Sequence, residues 1–389
     1  MTRLVHLTTT DMSLDWLLGP QLEAFAAAGY EVIGVSAAGP HVGALTARGI
    51  RHEALRHATR AMAPTRDVAA LAELVALLRR LRPDIVHTHN PKPGLYGRLA
   101  ARACGVPVVV NTVHGLYATP EDSLEKRAVV YGLERLAASC SQAELLQNPE
   151  DLPVLRRLGV PERRLVLLGN GIDLARFDPV RVGPAPRHRV RAELGIAEDE
   201  VVVGLVGRLV REKGYAEVFA AAESLRRSGV PVRFVVAGPD DPDKPDALGP
   251  AERDVAERAG VQLLGRRDDP EALYAAMDLY VLASWREGFP RSAMEAAAMA
   301  LPIVATDVRG CRQVVVPGAT GLLVRPRRAA GLARAVQELA FDPARRARMG
   351  AAARRLAARE FDQQRVIART LAVYEGLGAP PRRRAASDT

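Results

Sequence analysis

The stretch VVVGLVGRLVREKG (201–214) begins with a run of β-branched and aliphatic residues that never alternates with polar ones. A basic loop follows, and a helical pattern starts at Gly214. A strand covered on both faces reads this way, and such strands belong to parallel sheets flanked by helices. The same unit repeats outward. Downstream come VRFVVAG (232–238), VQLLG (261–265), LYVLAS (279–284) and PIVATDV (302–308), each followed by a turn and usually a helix. Upstream lie LVHLTT (4–9), EVIGVSA (31–37), DIVHTHN (84–90), VPVVVNTVH (106–114) and RLVLLGN (164–170). Between them run helical patterns such as DVAALAELVALLRRL (67–81), apolar at spacings of three and four. The expectation is α/β, with two doubly wound parallel-sheet domains in tandem and a ligand cleft between them.

The segment DPVRVGPAPRHRVR (178–191) breaks the pattern with prolines, a glycine and basic residues, and reads as an interdomain linker. It divides a first domain, 1–182, from a second, 183–361. A last helix, 362–378, is expected to return to the first domain. The polar tail APPRRRAASDT (379–389) reads as disordered. A length of 389 residues suits two such domains.

Composition narrows the function. Hydrophobic residues at 48% and charged ones at 25% describe a soluble globular chain. Aromatics at 4% are too sparse for a base-stacking platform, and the basic residues form no stripe beyond the RRR at 382–384, so no nucleic-acid partner is expected. The formal charge of +9 suits an anionic partner, either a nucleotide or a phospholipid surface. Cys104, Cys140 and Cys311 are scattered and form neither a disulfide framework nor a metal motif. With no signal-peptide pattern and no apolar run of spanning length, the expected location is cytoplasmic, with peripheral association at the inner membrane face left open.

Chemistry concentrates in a few places. In SWREGFPRSAMEA (284–296), Glu287 precedes the turn Gly288-Phe289-Pro290, and Glu295 stands two helical turns further on. Pro290 fits the first turn of a helix, whose N–H groups at Arg291 and Ser292 would receive an anion. One acid per sugar is the reading: Glu295 for a ribose diol, Glu287 for a hexose, a phosphate clamp between them. In GRLVREKG (207–214), Arg208 and Lys213 could neutralise a diphosphate; no G-K-[ST] follows, so this is no Walker loop. His114 ends a strand and could meet a sugar hydroxyl. His87 and His89 are expected to face opposite ways, one in the core and one toward the rim. DDPDKPD (240–246) reads as a solvated turn. In TTTDMS (8–13), Ser13 would cap the next helix, and Thr10 and Asp11 would line the acceptor side. No zinc-ligand spacing occurs, so no metal is expected.

Taken in order, GRL-x-x-x-KG, VVAG, LLG followed by LYAAMD, S-x-x-EGFPRSAMEA and PGATGLLV resemble the retaining family-four glycosyltransferases of the GT-B fold. DIVHTHN, VNTVHG and LGNGIDLARF (168–177) match landmarks of the same family, and the resemblance runs to about residue 376. It implies a GT-B architecture, with Arg208 and Lys213 on the donor diphosphate, Glu295 on the ribose, and Glu287 with Gly288 and Phe289 by the transferred sugar. His114 would contact that sugar, and the loop GRRDD (265–269), with Arg266, would frame the base. Two departures stand out: threonines replace the usual glycine pair after the first strand, and Gln313 stands where a glutamate is common.

The implied reaction moves a hexosyl unit, from a UDP-sugar by preference, to a hydroxyl acceptor with retention and no cofactor. No carboxylate is placed as a covalent nucleophile, which favours front-face attack over the two-carboxylate scheme. The basic character tilts the expected acceptor toward a lipid-linked one. The alternatives are a nucleotide-sugar 2-epimerase of the same fold and a catalytically silent nucleotide-sugar-binding protein.

Overall fold

The apolar runs become strands, and every pairing between named strands is parallel. A computed structural model of the chain describes residues 1–59, 64–89, 91–118, 122–242 and 244–381. The chain forms two compact units: residues 1–169 with the segment from Gln364 onward, and residues 170–363.

In unit 1 the strands are β1 (Arg3–Thr10), β2 (Glu31–Ala37), β3 (Arg51–Ala54), β4 (Ile85–His89), β5 (Val108–Val113), β6 (Ala143–Leu146) and β7 (Leu165–Leu167), in sheet order β3-β2-β1-β4-β5-β6-β7. β3 and β6 lie outside the predicted runs: RHEA is polar on a sheet edge, and AELL is too short to stand out. One face packs Leu4, Phe25, Tyr30, Ile85 and Val110 against Val366, Ile367 and Tyr374 of the last helix, Gln363–Gly376. The other packs Val5, Leu7, Val86 and Val109 against helices Pro64–Leu81 and Pro91–Ala103. Beyond that helix, Ala379 is buried and its carbonyl accepts the Tyr30 hydroxyl, while the Pro380 carbonyl accepts the Thr2 hydroxyl. The expected disorder from 379 is therefore overturned for these residues, which are anchored by hydrogen bonds; positions 382–389 lie outside the described residues.

Arg98, fully buried, joins helix Pro91–Ala103 to two acids, Glu144 on β6 at 2.7 Å and Glu134 at 2.8 Å. Asn111 and Ser141 donate further hydrogen bonds to Glu144. Glu134 belongs to helix Leu124–Ala138, so the inner side of that helix is fixed by a charge network together with the buried Ala137 and Ala138.

In unit 2 the strands are β8 (Val201–Val206), β9 (Val232–Ala237), β10 (Val261–Leu263), β11 (Leu279–Leu282), β12 (Ile303–Thr306) and β13 (Gly321–Val324), in order β10-β9-β8-β11-β12-β13. Sheet order reverses direction between β8 and β11, a switch point where the loops beyond the strand ends part to form a crevice.

The division falls at 169/170, not at the 182/183 read from composition. The linker 178–191 is folded into helices Pro179–Val182 and Ala185–Glu193. Its arginines have partners there: Arg187 and Arg191 both reach Asp278, at 2.8 and 3.1 Å. Prolines at helix starts and cations with a half-buried acceptor made a packed element look like a spacer.

Candidate active site

Gly214 brings the switch-point loops together. It adopts φ +74°, and a Cβ there would sit 2.1 Å from the Ala283 carbonyl oxygen at the end of β11. Only glycine allows that approach in that conformation. The loop after β8 thus packs on the loop after β11, and the short turn Arg211–Lys213 carries Lys213 to Glu287.

Lys213 Nζ donates to Glu287 Oε1 at 2.6 Å, and the Ser284 hydroxyl donates to the same oxygen at 2.6 Å. Thr306, ending β12, donates its hydroxyl to the Ser284 carbonyl at 2.5 Å. Behind Glu287 the chain turns at Gly310, where a Cβ would stand 2.7 Å from the Glu287 carbonyl. Three strand ends therefore fix one carboxylate. Its second oxygen, Oε2, accepts no hydrogen bond among the described residues.

Arg208 comes from the same loop as Lys213. Its guanidinium meets the buried Asp241 at 2.5 Å and keeps about a third of its side chain open to solvent. Asp246 also faces the loop, taking the Arg211 amide on its carbonyl and the Glu212 amide on its carboxylate. The expected solvated turn at 240–246 is thus an anchoring segment: the basic loop beside it gives its acids partners, which desolvation would otherwise forbid. Position 243 lies outside the described residues.

Helix Arg291–Ala298 opens at this cluster. Pro290 is its N-cap and not a first-turn residue, with an extended ψ of 112° and its carbonyl accepting the Met294 amide. The opening turn presents N–H groups that have no intrahelical acceptor, at the positive end of the helix dipole. Asn170 donates its side-chain amide to the Phe289 carbonyl, and the Phe289 ring meets Phe361 edge-on at 5.8 Å, which holds the Gly288-Phe289 turn. One turn on, Glu295 accepts the Tyr274 hydroxyl at 2.9 Å. Burial raises the Glu295 carboxyl above the ordinary range, while the Arg291 charge and the Tyr274 hydrogen bond pull it back down. Arg266 lies apart on an exposed loop, paired with Asp268 at 3.1 Å.

Unit 1 places its expected residues differently. His114 follows β5 half-buried, donating from Nδ1 to Gln147 and accepting at Nε2 from His89. His89 in turn accepts from His6, His6 from the Tyr374 hydroxyl, Tyr374 from His87, and His87 from Thr112. Each neutral ring so donates once and accepts once. His87 and His89 do not face opposite ways: two residues apart on β4 they share a face, both buried, with rings 4.3 Å apart. His6, His87 and His89 bring one ligand atom each within 4.8 Å of one another, the spacing of a metal site. A metal there would have to displace the hydrogen bonds just described. Thr10 shares a hydrogen bond with Ser13, and Asp11 accepts the Met12 and His41 amides. Ser13 is no cap, because the helical run already begins at Asp11.

Sequence reasoning assigned no role to Asn170, Ser284, Thr306, Gly310 or Tyr274. Ser284, three residues before Glu287, Asn170 in LGNGIDLARF and Tyr274 in LYAAMD lie within the motifs, whereas Thr306 and Gly310 have no such signal.

Residues 186–356 match the family model described as "Glycosyl transferases group 1", and residues 21–176 the one described as "Glycosyltransferase Family 4". The chain is 31% identical over 264 residues to the UDP-Gal:alpha-D-GlcNAc-diphosphoundecaprenol alpha-1,3-galactosyltransferase of Escherichia coli, covering 67% of each chain. It is 32% identical over 312 residues to the alpha-maltose-1-phosphate synthase of Mycolicibacterium smegmatis, covering 76% of this chain and 79% of that one. Among solved structures, Anabaena Alr3699/HepE in complex with UDP and glucose matches with TM-score 0.81 at 19% identity, over 97% of this chain and 100% of that one. WaaG, a glycosyltransferase involved in lipopolysaccharide biosynthesis, matches with TM-score 0.74 at 18% identity, over 96% and 100%. Two parallel-sheet units, the order of the motifs and these matches together establish that the chain belongs to the family-four glycosyltransferases and has the GT-B fold.

Proposed function

We propose that the chain transfers a hexosyl unit from a UDP-sugar to a hydroxyl of a lipid-linked or polysaccharide acceptor, with retention at the anomeric carbon. The observation that carries this reading is the convergence of Lys213, Glu287 and the opening turn of helix Arg291–Ala298 at the switch point of unit 2. Arg208 and Lys213 are both cations on the loop beyond β8. They and the helix N-terminus would balance the charge of a departing nucleoside diphosphate, which grows as the glycosidic bond breaks. Glu295 would accept a ribose hydroxyl, using the carboxylate oxygen that Tyr274 leaves open. Glu287 Oε2, with the Gly288-Phe289 backbone, would accept from the transferred sugar. His114 is assigned a sugar hydroxyl, exchanging its Gln147 partner for it.

Retention is favoured by the charge arrangement. Glu287 is ion-paired through Oε1, and pairing to a cation weakens a carboxylate as a nucleophile. The leaving phosphate can itself take the proton of the incoming hydroxyl, which delivers the acceptor on the face the nucleotide leaves. No residue described here is assigned a metal or cofactor. UDP and a lipid-linked acceptor are preferred because the E. coli relative is named for both, and a Campylobacter jejuni relative is named for a diphospho-undecaprenol acceptor. A peripheral position at the inner membrane face goes with such an acceptor; among the described residues no helix is long and apolar enough to cross a membrane.

The test is a donor screen with UDP-, GDP-, ADP- and dTDP-sugars, reading thermal stabilisation and slow donor hydrolysis. Stabilisation by UDP-sugars, with an α-linked product from an α-linked donor once an acceptor is supplied, supports the reading. A new sugar epimer formed without acceptor would replace it with epimerisation, and binding without any turnover would replace it with a silent binder.

A further inference from the structure

On one face of the unit 1 sheet, aliphatic residues give way to imidazoles along the strands. β1 carries Leu4 then His6, β4 carries Ile85 then His87 and His89, and β5 carries Val108 and Val110 then Thr112. Strand alternation puts these residues on one face, and the parallel register sets His6 beside His87 and His89 beside Thr112. The last helix covers them with Tyr374, fully buried, its ring edge-on to His87 at 5.8 Å. Burying these imidazoles costs desolvation that the aliphatic residues lower on the same strands avoid. The burial is tolerable because the ring nitrogens are paired, and the pairing has a direction.

One end sets that direction. Gln147 is buried and turns its side-chain carbonyl oxygen to His114 Nδ1 at 3.2 Å. A carbonyl oxygen only accepts, so the His114 proton sits on Nδ1 and its Nε2 must accept. His89 Nδ1, 3.1 Å from that Nε2, is then the donor, and His6 Nδ1 donates to His89 Nε2 at 3.0 Å. His6 Nε2 in turn requires a donor. The Tyr374 hydroxyl supplies it, because His87 Nδ1, 2.5 Å away, donates into the same oxygen. His87 Nε2 is left to accept from Thr112 at 2.7 Å. Burial holds all four rings neutral, so each has a single proton to place, and each places it on Nδ1.

We infer that Tyr374 is a positioning residue: through His6 and His89 it locks the proton of His114 on Nδ1. His114 thereby meets a ligand as a donor, and a sugar group set against Nδ1 must offer an oxygen lone pair. The effect on transfer rests on the assignment of His114 to a sugar hydroxyl; the lock itself rests on the hydrogen-bonded run alone.

The experiment is long-range proton–nitrogen NMR of the full chain labelled with nitrogen-15 in histidine, with His114→Gln used to assign the His114 signals. Wild type is expected to show His6, His87, His89 and His114 protonated at Nδ1. Tyr374→Phe keeps the ring and removes the hydroxyl, so the two directions of the His6–His89–His114 run come close in energy. An Nε2–H form of His114 is then expected, with kcat/KM for the best donor of the screen lowered about tenfold, the scale of one misdirected hydrogen bond. His6→Leu cuts the same run one step nearer His114 and is expected to free its proton likewise, which keeps the test open where Tyr374→Phe does not fold. Val366→Ala removes a buried contact of the same helix but no member of the run. It is expected to lower the melting temperature and leave the tautomers and kcat/KM at wild-type values. His114 protonated at Nε2 in the wild type overturns the inference, and so does an unchanged His114 spectrum in the folded variants. A freed proton with unchanged kcat/KM keeps the lock and removes His114 from the sugar, so the two readings fail separately.

Discussion

Lys213 and Glu287, 74 positions apart in the chain, form a 2.6 Å ion pair across the switch point of unit 2. Each is largely shielded from solvent, with side-chain exposures of 21% and 10%. A pair so placed does little for stability by itself, because desolvation offsets most of the attraction. What it does is hold a cation at the spot where an anion would arrive. Lys213→Ala should lower turnover by roughly 100-fold or more, the loss typical of one electrostatic contact to a transition state. Glu287→Ala should do the same. Steady-state kinetics with the best donor of the screen decides it: near wild-type rates in both variants would remove the assignment.

Glu295 calls for a different outcome. It lies on the helix and away from the bond that breaks, so its contribution is expected in binding. Glu295→Gln should raise the donor KM by about tenfold with a small change in kcat, since a neutral amide accepts a ribose hydroxyl less well than a carboxylate. Tyr274→Phe removes the hydroxyl that orients Glu295 and should show a weaker effect in the same direction. An equal loss in kcat and kcat/KM would place Glu295 in the transition state instead.

Gly214→Ala tests the architecture of the site. The backbone there is left-handed, and the new methyl would meet the Ala283 carbonyl at 2.1 Å. Either the turn shifts or the strand end does, at a cost of about 2 kcal/mol or more. The expected result is a lowered melting temperature with lost donor stabilisation. Gly195→Ala, also at positive φ (+63°) just past helix Ala185–Glu193 but with open space around the methyl, should destabilise by only about 1 kcal/mol and leave the donor effect intact.

The long apolar strands were legible because burial on both faces leaves an unbroken β-branched run, as in VVVGLVG. β3 was not, since an edge strand with half its side chains in water reads as a loop. In the candidate site, Arg208, Lys213, Glu287 and Glu295 could be read because charged groups beside strand ends are conspicuous. Thr306 and Gly310 could not. One acts through a carbonyl 22 residues away and the other through the space it leaves, and neither relation has a spacing. The same blindness made helix Ala185–Glu193 look like a linker, because the acid that accepts its arginines is about 90 residues distant.

The histidines of unit 1 give a prediction about acid. Burial lowers His6 to about 3 and His114 to about 4, and pushes His87 and His89 well below 6.5, with the neighbouring imidazoles adding to the effect on the last two. All four pKa values are therefore depressed by folding, and the unfolded chain binds more protons than the native one below about 6.5. Stability is fully present above that pH and is lost as pH falls through 6 and 5 toward 4. Each ring contributes about 1.4 kcal/mol per pH unit across its window, so four together give a slope of roughly 5 kcal/mol per unit at its steepest. Urea melts at pH 7, 6 and 5 should show this loss before the exposed carboxylates, whose ordinary range is lower, take part. His6→Asn should reduce the slope by about one ring's share, and a melting temperature unchanged between pH 7 and 5 would refute the buried neutral chain. By the same reasoning His114 stays neutral throughout the working range, so the pH–rate profile should show no break near 6.5 that disappears in His114→Gln.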